Sequence, residues 1–498
     1  MSFKLAALAA SFVFAAALAA DAAPVTGGSH PFVAGKTYYA VGVPVCKRVK
    51  RGTPAARCFA VWRKEVTKIT AGARAFLPAS GAAGGNDTIG PAGGLTPADL
   101  AKAYSFSTAG GGTQTVAIVD AYNDPNIKAD LAAFDAQYGL PACGSKCLTV
   151  VNQSGVSGVN HLPPNDTTGW SLEESLDVET VHSVCPNCKI ILVETNSNSY
   201  VNLAQGEQTA IALGATVVSN SFGGPESGAT DSTVQSAFNQ PGKVIVASTG
   251  DDGFYDYDFL AGTNEPNFPA SSSTVVSVGG TTLLLGQTGL RQNETVWNDN
   301  GIQDYFEQIT GDRLGAGGGG CSLIFTAQPW QTSVPGWSQT GCGTMRLSAD
   351  VAAVGDYLTG FDVYDTYACA SGCLSPGWHT IGGTSLAAPL IASLYALAGG
   401  AQGVDYPASI LYTNRKSAYD VTMGGDGWCD GKGAAACGNP NSIGYGIVDC
   451  DYTSAGAVNV GNGACSAREG YDGPTGVGTP SGLSMFRNAT AHAPSKVK

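Results

Sequence analysis

From Leu95 onward the apolar positions fall into short continuous runs separated by longer mixed stretches. The runs at 115–120, 189–194, 216–219 and 243–247 are rich in Val and Ile. Unbroken β-branched runs of that length predict strands buried on both faces, the habit of parallel sheets. Between them, 126–138, 171–184 and 200–213 read as helices, and 386–397 as an apolar helix. Strand–helix–strand alternation predicts right-handed crossovers, with helices on both faces of one sheet. Ligands of such sheets bind at the carboxyl ends of the strands, where Asp120, Ser219 and Asp251 fall. The fold class expected is α/β.

Composition narrows the picture. The chain has 498 residues, 43% of them apolar, which excludes disorder as its main state. Charged residues are 13%, about half of the roughly 25% usual in soluble domains. The net charge of −13 argues against a nucleic-acid partner, because phosphate would be repelled. A sparse, acidic charge set suits a protein that works in acid.

The N-terminus sets the expected compartment. Lys4 precedes an apolar stretch over 5–20, and Ala17-Leu18-Ala19 or Ala20-Asp21-Ala22 offers a cleavage site. Residues 1–22 therefore read as a secretory signal peptide, too short for a membrane span, and an extracellular protein is expected. No later run is long enough to cross a membrane, and a monomer is expected. The fourteen cysteines cluster locally, as short-loop disulfides do in an oxidising compartment. The pairs are Cys46 with Cys58, Cys143 with Cys147, Cys185 with Cys188, Cys321 with Cys342 and Cys369 with Cys373. Cys429, Cys437, Cys450 and Cys465 form a last group. Zinc is not expected, since no histidine stands at finger-like spacing.

Charge is unevenly spread. Residues 1–75 hold eleven Lys and Arg against Asp21 and Glu65, while the rest holds 15 basic and 37 acidic residues. A basic pro-segment over 23–77 thus precedes an acidic body at 95–483, with a Gly/Ala-rich linker at 78–94 and a tail at 484–498. Attraction between segment and body at neutral pH, relaxed in acid, would favour self-cleavage between about Ala75 and Leu95. So short a segment needs a staple, which Cys46 and Cys58 could provide.

The strongest motif is Gly382-Gly383-Thr384-Ser385-Leu386-Ala387-Ala388-Pro389. A serine at a helix start has a free backbone N–H beside its Oγ, the arrangement a nucleophile needs. An ordinary N-cap explains the hydroxyls but neither the paired glycines nor the proline. Five histidines occur, and none stands in the context of a subtilisin base. The helix at 171–184 instead offers Glu173 and Asp177, four apart and so on one face. His182, nine residues from Glu173, falls on the opposite side.

This combination resembles the sedolisins, the serine-carboxyl peptidases, across 95–483. The matching motifs run in order: Trp170, Glu173, Leu176 and Asp177; Ser219-Asn-Ser-Phe-Gly-Gly-Pro-Glu226; Ser248-Thr-Gly-Asp251; Phe268-Pro-Ala-Ser; Val278-Gly-Gly-Thr-Thr282; and Arg346-Leu-Ser-Ala-Asp350. The resemblance implies a subtilisin-like parallel sheet with helices on both faces, preceded by a short pro-segment. It implies a secreted acid endopeptidase acting on proteins or peptides, with its own pro-segment as a partner. Ser385 would be the nucleophile, Glu173 its base and Asp177 the orienting carboxylate, with Asp251 in the oxyanion hole and Asp120 structural. It also implies one structural Ca²⁺ held by Asp420, Val421, Arg468, Gly470 and Asp472, the carboxylates giving side-chain oxygens and the others carbonyls. Competing readings are a tripeptidyl-peptidase, an inactive binding relative and a carboxylate-pair glycosidase, the last leaving the serine motif unexplained.

Overall fold

The computed structural model describes residues 39–47, 49, 52–66, 90–144, 146–255, 265–286, 288–298, 315–367, 374–427 and 463–488. The signal peptide, most of the linker, residues 489–498 of the tail, and Cys369, Cys373, Cys429, Cys437 and Cys450 lie outside them.

The central layer is a mostly parallel sheet, whose strands are numbered here along the chain. They are β1 Thr115–Ala121, β2 Leu148–Asn152, β3 Lys189–Thr195, β4 Val217–Asn220, β5 Val244–Ser248, β6 Val276–Leu285, β7 Arg291–Val296 and β8 Val351–Val354. Their order is β7-β6-β5-β4-β1-β3-β2, with β8 paired in parallel to β6. The four predicted runs are β1, β3, β4 and β5, each within a residue of its expected ends. Chain order reverses between β1 and β4, so the crossovers diverge there and open a crevice at the carboxyl ends.

Side chains alternate across each strand, so one strand feeds two cores. Val116 and Ile118 of β1 join Ile190, Leu192, Val217 and Val246 on one face. Ala117 and Val119 join Val193, Val218 and Ala247 on the other. Helices α1 (Ile127–Tyr138), α2 (Trp170–Val184) and α4 (Thr384–Ala398) cover the first face, and α3 (Tyr200–Ala212) covers the second. Each buried Val, Leu or Ile contributes roughly 1.5–3 kcal/mol, so both faces are strongly specified.

Helix α2 departs from the usual amphipathic habit: all fifteen of its residues are buried, including Glu173, Glu174, Asp177 and Glu179. A buried carboxyl needs a donor, and a neighbour supplies one to each. Ala60 N–H donates to Glu173 at 2.8 Å, Asp124 N–H to Glu174 at 3.2 Å and Tyr364 N–H to Glu179 at 3.0 Å. Ser221 Oγ–H donates to Asp177 at 2.8 Å. The helix start is tied by Asp166, whose carboxylate accepts from the amides of Thr168, Gly169 and Ser171. Four of the expected cysteine pairs are bonded: Cys46–Cys58, Cys143–Cys147, Cys185–Cys188 and Cys321–Cys342.

Candidate active site

Helix α4 begins where the strand Gly377–Gly382 runs out. Both glycines of the motif are required by shape. A Cβ on Gly382 would strike the backbone of Tyr357, and Gly383 sits at φ +98°, a region that disfavours side chains. The proline also has a reason. Pro389 has no N–H, so the Ser385 carbonyl four residues earlier loses its helical donor. Ser221 Oγ stands 3.3 Å from that carbonyl, although its one proton is given to the nearer Asp177 at 2.8 Å. Ser385 N–H, in the first helical turn, needs no intrahelical acceptor and is available for an oxyanion.

The Ser385 hydroxyl donates to the Ser221 carbonyl at 3.1 Å. Burial and the neighbouring Asp177 hold the proton affinity of Glu173 well above the usual carboxyl range, while the Ser385 hydroxyl works against them. Burial also raises Asp177. Asp120, at the end of β1, is raised first by burial and then by Asp177 and Glu173. Sequence reasoning gave Asp120 only a structural part; it stands in electrostatic reach of the pair, and neither of its oxygens has a hydrogen-bond partner. Three buried carboxyls so placed cannot all ionise together.

Asp251 lies across the cleft. Its Oδ1 accepts from Thr384 N–H at 2.8 Å and Thr384 Oγ–H at 2.9 Å. Its buried Oδ2 has no partner and flanks the space beside Gly383 Cα. Burial pushes its pKa up to about 7, against hydrogen bonds from Thr384 and the charge of Arg57. His182 is remote from all of this, its Nε2 2.8 Å from the Pro141 carbonyl and 3.2 Å from Asp135.

The cleft is occupied by the chain's own N-terminal part: a basic segment covering the body was expected, but not that residues 57–60 would lie against Ser385 and Glu173. Phe59 N–H faces Ser385 Oγ at 3.1 Å and the Ser221 carbonyl at 3.3 Å, and Ala60 N–H donates to Glu173. Arg57 and Cys58 pair antiparallel with Gly223 and Phe222. Arg57 also ion-pairs with Asp252, another residue sequence reasoning passed over. The local Cys46/Cys58 pair was the sequence signal of a loop here.

At the C-terminal end, Gly470 N–H donates to Asp420 at 2.9 Å and Arg468 N–H to Asp472 at 3.1 Å. Asp472 is pushed up to about 7 by burial, with Asp420 adding to the rise. The Arg468 guanidinium turns to the carbonyls of Gly336 and Tyr471 and to Gln339. Val421 is buried beside them. Asp420 and Asp472 are close enough for one to raise the other, the Arg468 side chain is occupied elsewhere, and Thr475 N–H and Oγ–H also donate to Asp472, at 2.9 and 2.8 Å.

A parallel α/β layer with a serine at a helix start and carboxyls on the facing helix defines a subtilisin-like scaffold with a serine–carboxylate centre. The pattern of the subtilase family matches residues 156–446, and the chain belongs to that family. It is 32% identical to kumamolisin of Bacillus sp. (strain MN-32) over 60% of this chain and 51% of that protein. It is 27% identical to sedolisin of Pseudomonas sp. (strain 101) over 74% and 62% respectively. With xanthomonalisin of Xanthomonas sp. (strain T-22) it shares 28% over 74% and 47%. The chain thus spans roughly half to three-fifths of the length of these curated relatives. The solved structure of Pseudomonas sedolisin, a serine-carboxyl proteinase complexed with pseudo-iodotyrostatin, superposes with a TM-score of 0.59 at 24% identity. It covers 79% of this chain and 96% of that one, a likeness of fold.

Proposed function

We propose that the protein is a secreted, acid-acting serine-carboxyl endopeptidase that hydrolyses proteins or peptides and matures by self-processing. The observation that carries this reading is the seating of residues 57–60. One extended strand offers consecutive amides to Ser385 Oγ and to Glu173, as a substrate would. Ser385 Oγ attacks the carbonyl carbon while Glu173 takes its proton. Burial makes Glu173 a stronger base than a solvated carboxylate, which general-base catalysis needs. Asp177 shares the charge and orients Glu173, and Asp120 keeps the cluster short of full ionisation. The oxyanion forms between Ser385 N–H and Asp251, which donates only while it keeps its proton. Glu173 then returns its proton to the leaving amine, and water repeats the cycle on the ester.

An endopeptidase is favoured over a tripeptidyl-peptidase because the seated strand runs on beyond three residues before the reacting bond. Ala56 N–H donates to the Asn198 carbonyl at 2.9 Å, and Tyr200 N–H to that of Pro54 at 2.9 Å. Asp420 and Asp472, with carbonyls of Val421, Arg468 and Gly470, would hold a Ca²⁺ that ties the C-terminal loops together. Secretion rests on the leader over 1–22 and on the disulfides. No helix among the described residues is long and apolar enough to cross a membrane. The direct test is digestion of denatured haemoglobin or casein at acidic pH. Internal fragments seen by mass spectrometry, absent with Ser385→Ala, are expected; release of tripeptides alone would overturn the endopeptidase assignment.

A further inference from the structure

Two strands before the linker form a hairpin, and residues 57–60 between them lie in the cleft. Tyr39–Pro44 pairs antiparallel with Val61–Val66, from Tyr39 opposite Val66 to Pro44 opposite Val61. The Cys46–Cys58 disulfide closes the long loop between them, and Val45 N–H donates to the Ala60 carbonyl at 3.0 Å. The second strand also pairs with Gly377–Gly382, the strand that delivers Ser385.

The body is shaped to this loop. A Cβ on Gly169 would collide with the Val45 carbonyl, on Gly224 with that of Ala55, and on Gly228 with that of Thr53. A Cβ on Gly383 would displace the Phe59 carbonyl, which lies against the same space as Asp251 Oδ2. The Phe59 ring packs over Gly223 and Gly250 and is buried. Its carbonyl therefore shares the space beside Gly383 with Asp251 Oδ2, while its amide and that of Ala60 meet Ser385 and Glu173. The bond placed for attack is Phe59–Ala60.

We propose that residues 44–62 are a disulfide-closed inhibitor of the chain's own catalytic centre, with Phe59–Ala60 as its reactive bond and Cys46–Cys58 as the latch that keeps this bond from being consumed. The proposal rests on the serine-peptidase reading above. Hydrolysis would add one water across the Phe59–Ala60 amide, leaving a carboxyl on Phe59 and an amine on Ala60. An ordinary substrate then loses its amine half to solvent. Here Phe59 stays tied through Cys58 and Cys46 to Tyr39–Pro44, and Ala60 stays tied through Val61–Val66 to that same strand. The amine remains beside the acylated serine at high effective concentration, so religation competes with water. The closed loop is also ordered in advance, which strengthens its seating. Without the disulfide, residues 45–58 lose the tie that returns Phe59 to its place.

The test uses the full-length chain at acidic pH, with an added peptide substrate and mass spectrometry of the N-terminal region. The wild-type protein should stay largely intact at Phe59–Ala60 and turn over the peptide at least tenfold more slowly than Cys46→Ser/Cys58→Ser. The double variant should be cut quickly at Phe59–Ala60, and adding Ser385→Ala should stop that cut. Phe59→Asp retains every cysteine but removes the ring that fills the glycine-walled pocket and leaves a polar carboxyl there, protonated or not, so it should raise turnover of the added peptide tenfold or more even if the cysteine variant misfolds. Equal turnover by wild type and Phe59→Asp, with residues 39–66 still attached, would overturn the inhibitor while leaving the peptidase in place. Absence of hydrolysis by every form, Phe59→Asp included, would overturn both.

Discussion

The two helices that pack together beside the cleft are each fifteen residues long and almost wholly buried, yet they are built in opposite ways. Helix α4 is nearly all apolar after its first two residues, and its chemistry is placed by shape: two glycines, a positive φ and a proline that frees one carbonyl. Helix α2 carries four buried carboxyls, and its chemistry is placed by charge, through donors from four separate parts of the chain. Shape holds Ser385 at any pH. Charge makes Glu173, its proposed base, sensitive to pH, because every one of those carboxyls resists ionising. One side of the cleft is a fixed mount and the other a titrating one.

The largest effects should come from removing either side's chemistry. Ser385→Ala should abolish hydrolysis, and Glu173→Gln or Asp177→Asn should lower turnover by roughly 10²–10⁴-fold, without additivity between members of one unit. His182→Ala should keep most activity in the same peptide assay. On the shape side, Gly383→Ala places a methyl where the Phe59 carbonyl lies and strains a positive-φ backbone. Turnover should fall about 10–10²-fold with a smaller loss of thermal stability, since such strain costs roughly 1–3 kcal/mol.

On the charge side, Asp251 has its pKa raised to about 7, so it is a donor below that pH and an anion above it. Activity should fall as pH rises through about 7. Asp251→Asn, which donates at every pH, should flatten that limb while costing some turnover in acid. A pH–rate profile of the two proteins checks it; an unchanged alkaline limb in the variant would remove Asp251 from the oxyanion hole. The smallest effect lies outside the cleft. A chelator should lower the thermal midpoint by a few degrees, because an ion bound only to the native state stabilises it. Asp420→Asn or Asp472→Asn should abolish that sensitivity, and a midpoint indifferent to chelator and to added Ca²⁺ would dismiss the ion.

The same contrast explains what the sequence made legible. The serine helix announces itself locally, because Gly382-Gly383-Thr384-Ser385 and Pro389 are contiguous and each answers to one backbone constraint. The parallel strands were legible for a similar reason, as β-branched runs need no distant partner to be recognised. Glu173 and Asp177 were legible as a pair on one face. Their burial was not, because two carboxylates at helical spacing ordinarily line a solvated surface. Their donors, Ala60 and Ser221, lie 113 and 44 residues away. The tie of Asp120 to that pair and the ion pair of Asp252 were not legible on the same ground, since these neighbours come together only in the fold. The hairpin in the cleft was hidden because its pairing with Phe222–Pro225 and Gly377–Gly382 spans some 160 and 320 residues.

The central claim is that carboxyls, not a histidine, activate Ser385. It is tested most directly by labelling with a serine-directed fluorophosphonate across pH, on a Phe59→Asp background that opens the cleft. The account predicts acid-dependent labelling at Ser385 that persists in His182→Ala and is lost in Glu173→Gln. Labelling lost in His182→Ala but retained in Glu173→Gln would contradict it.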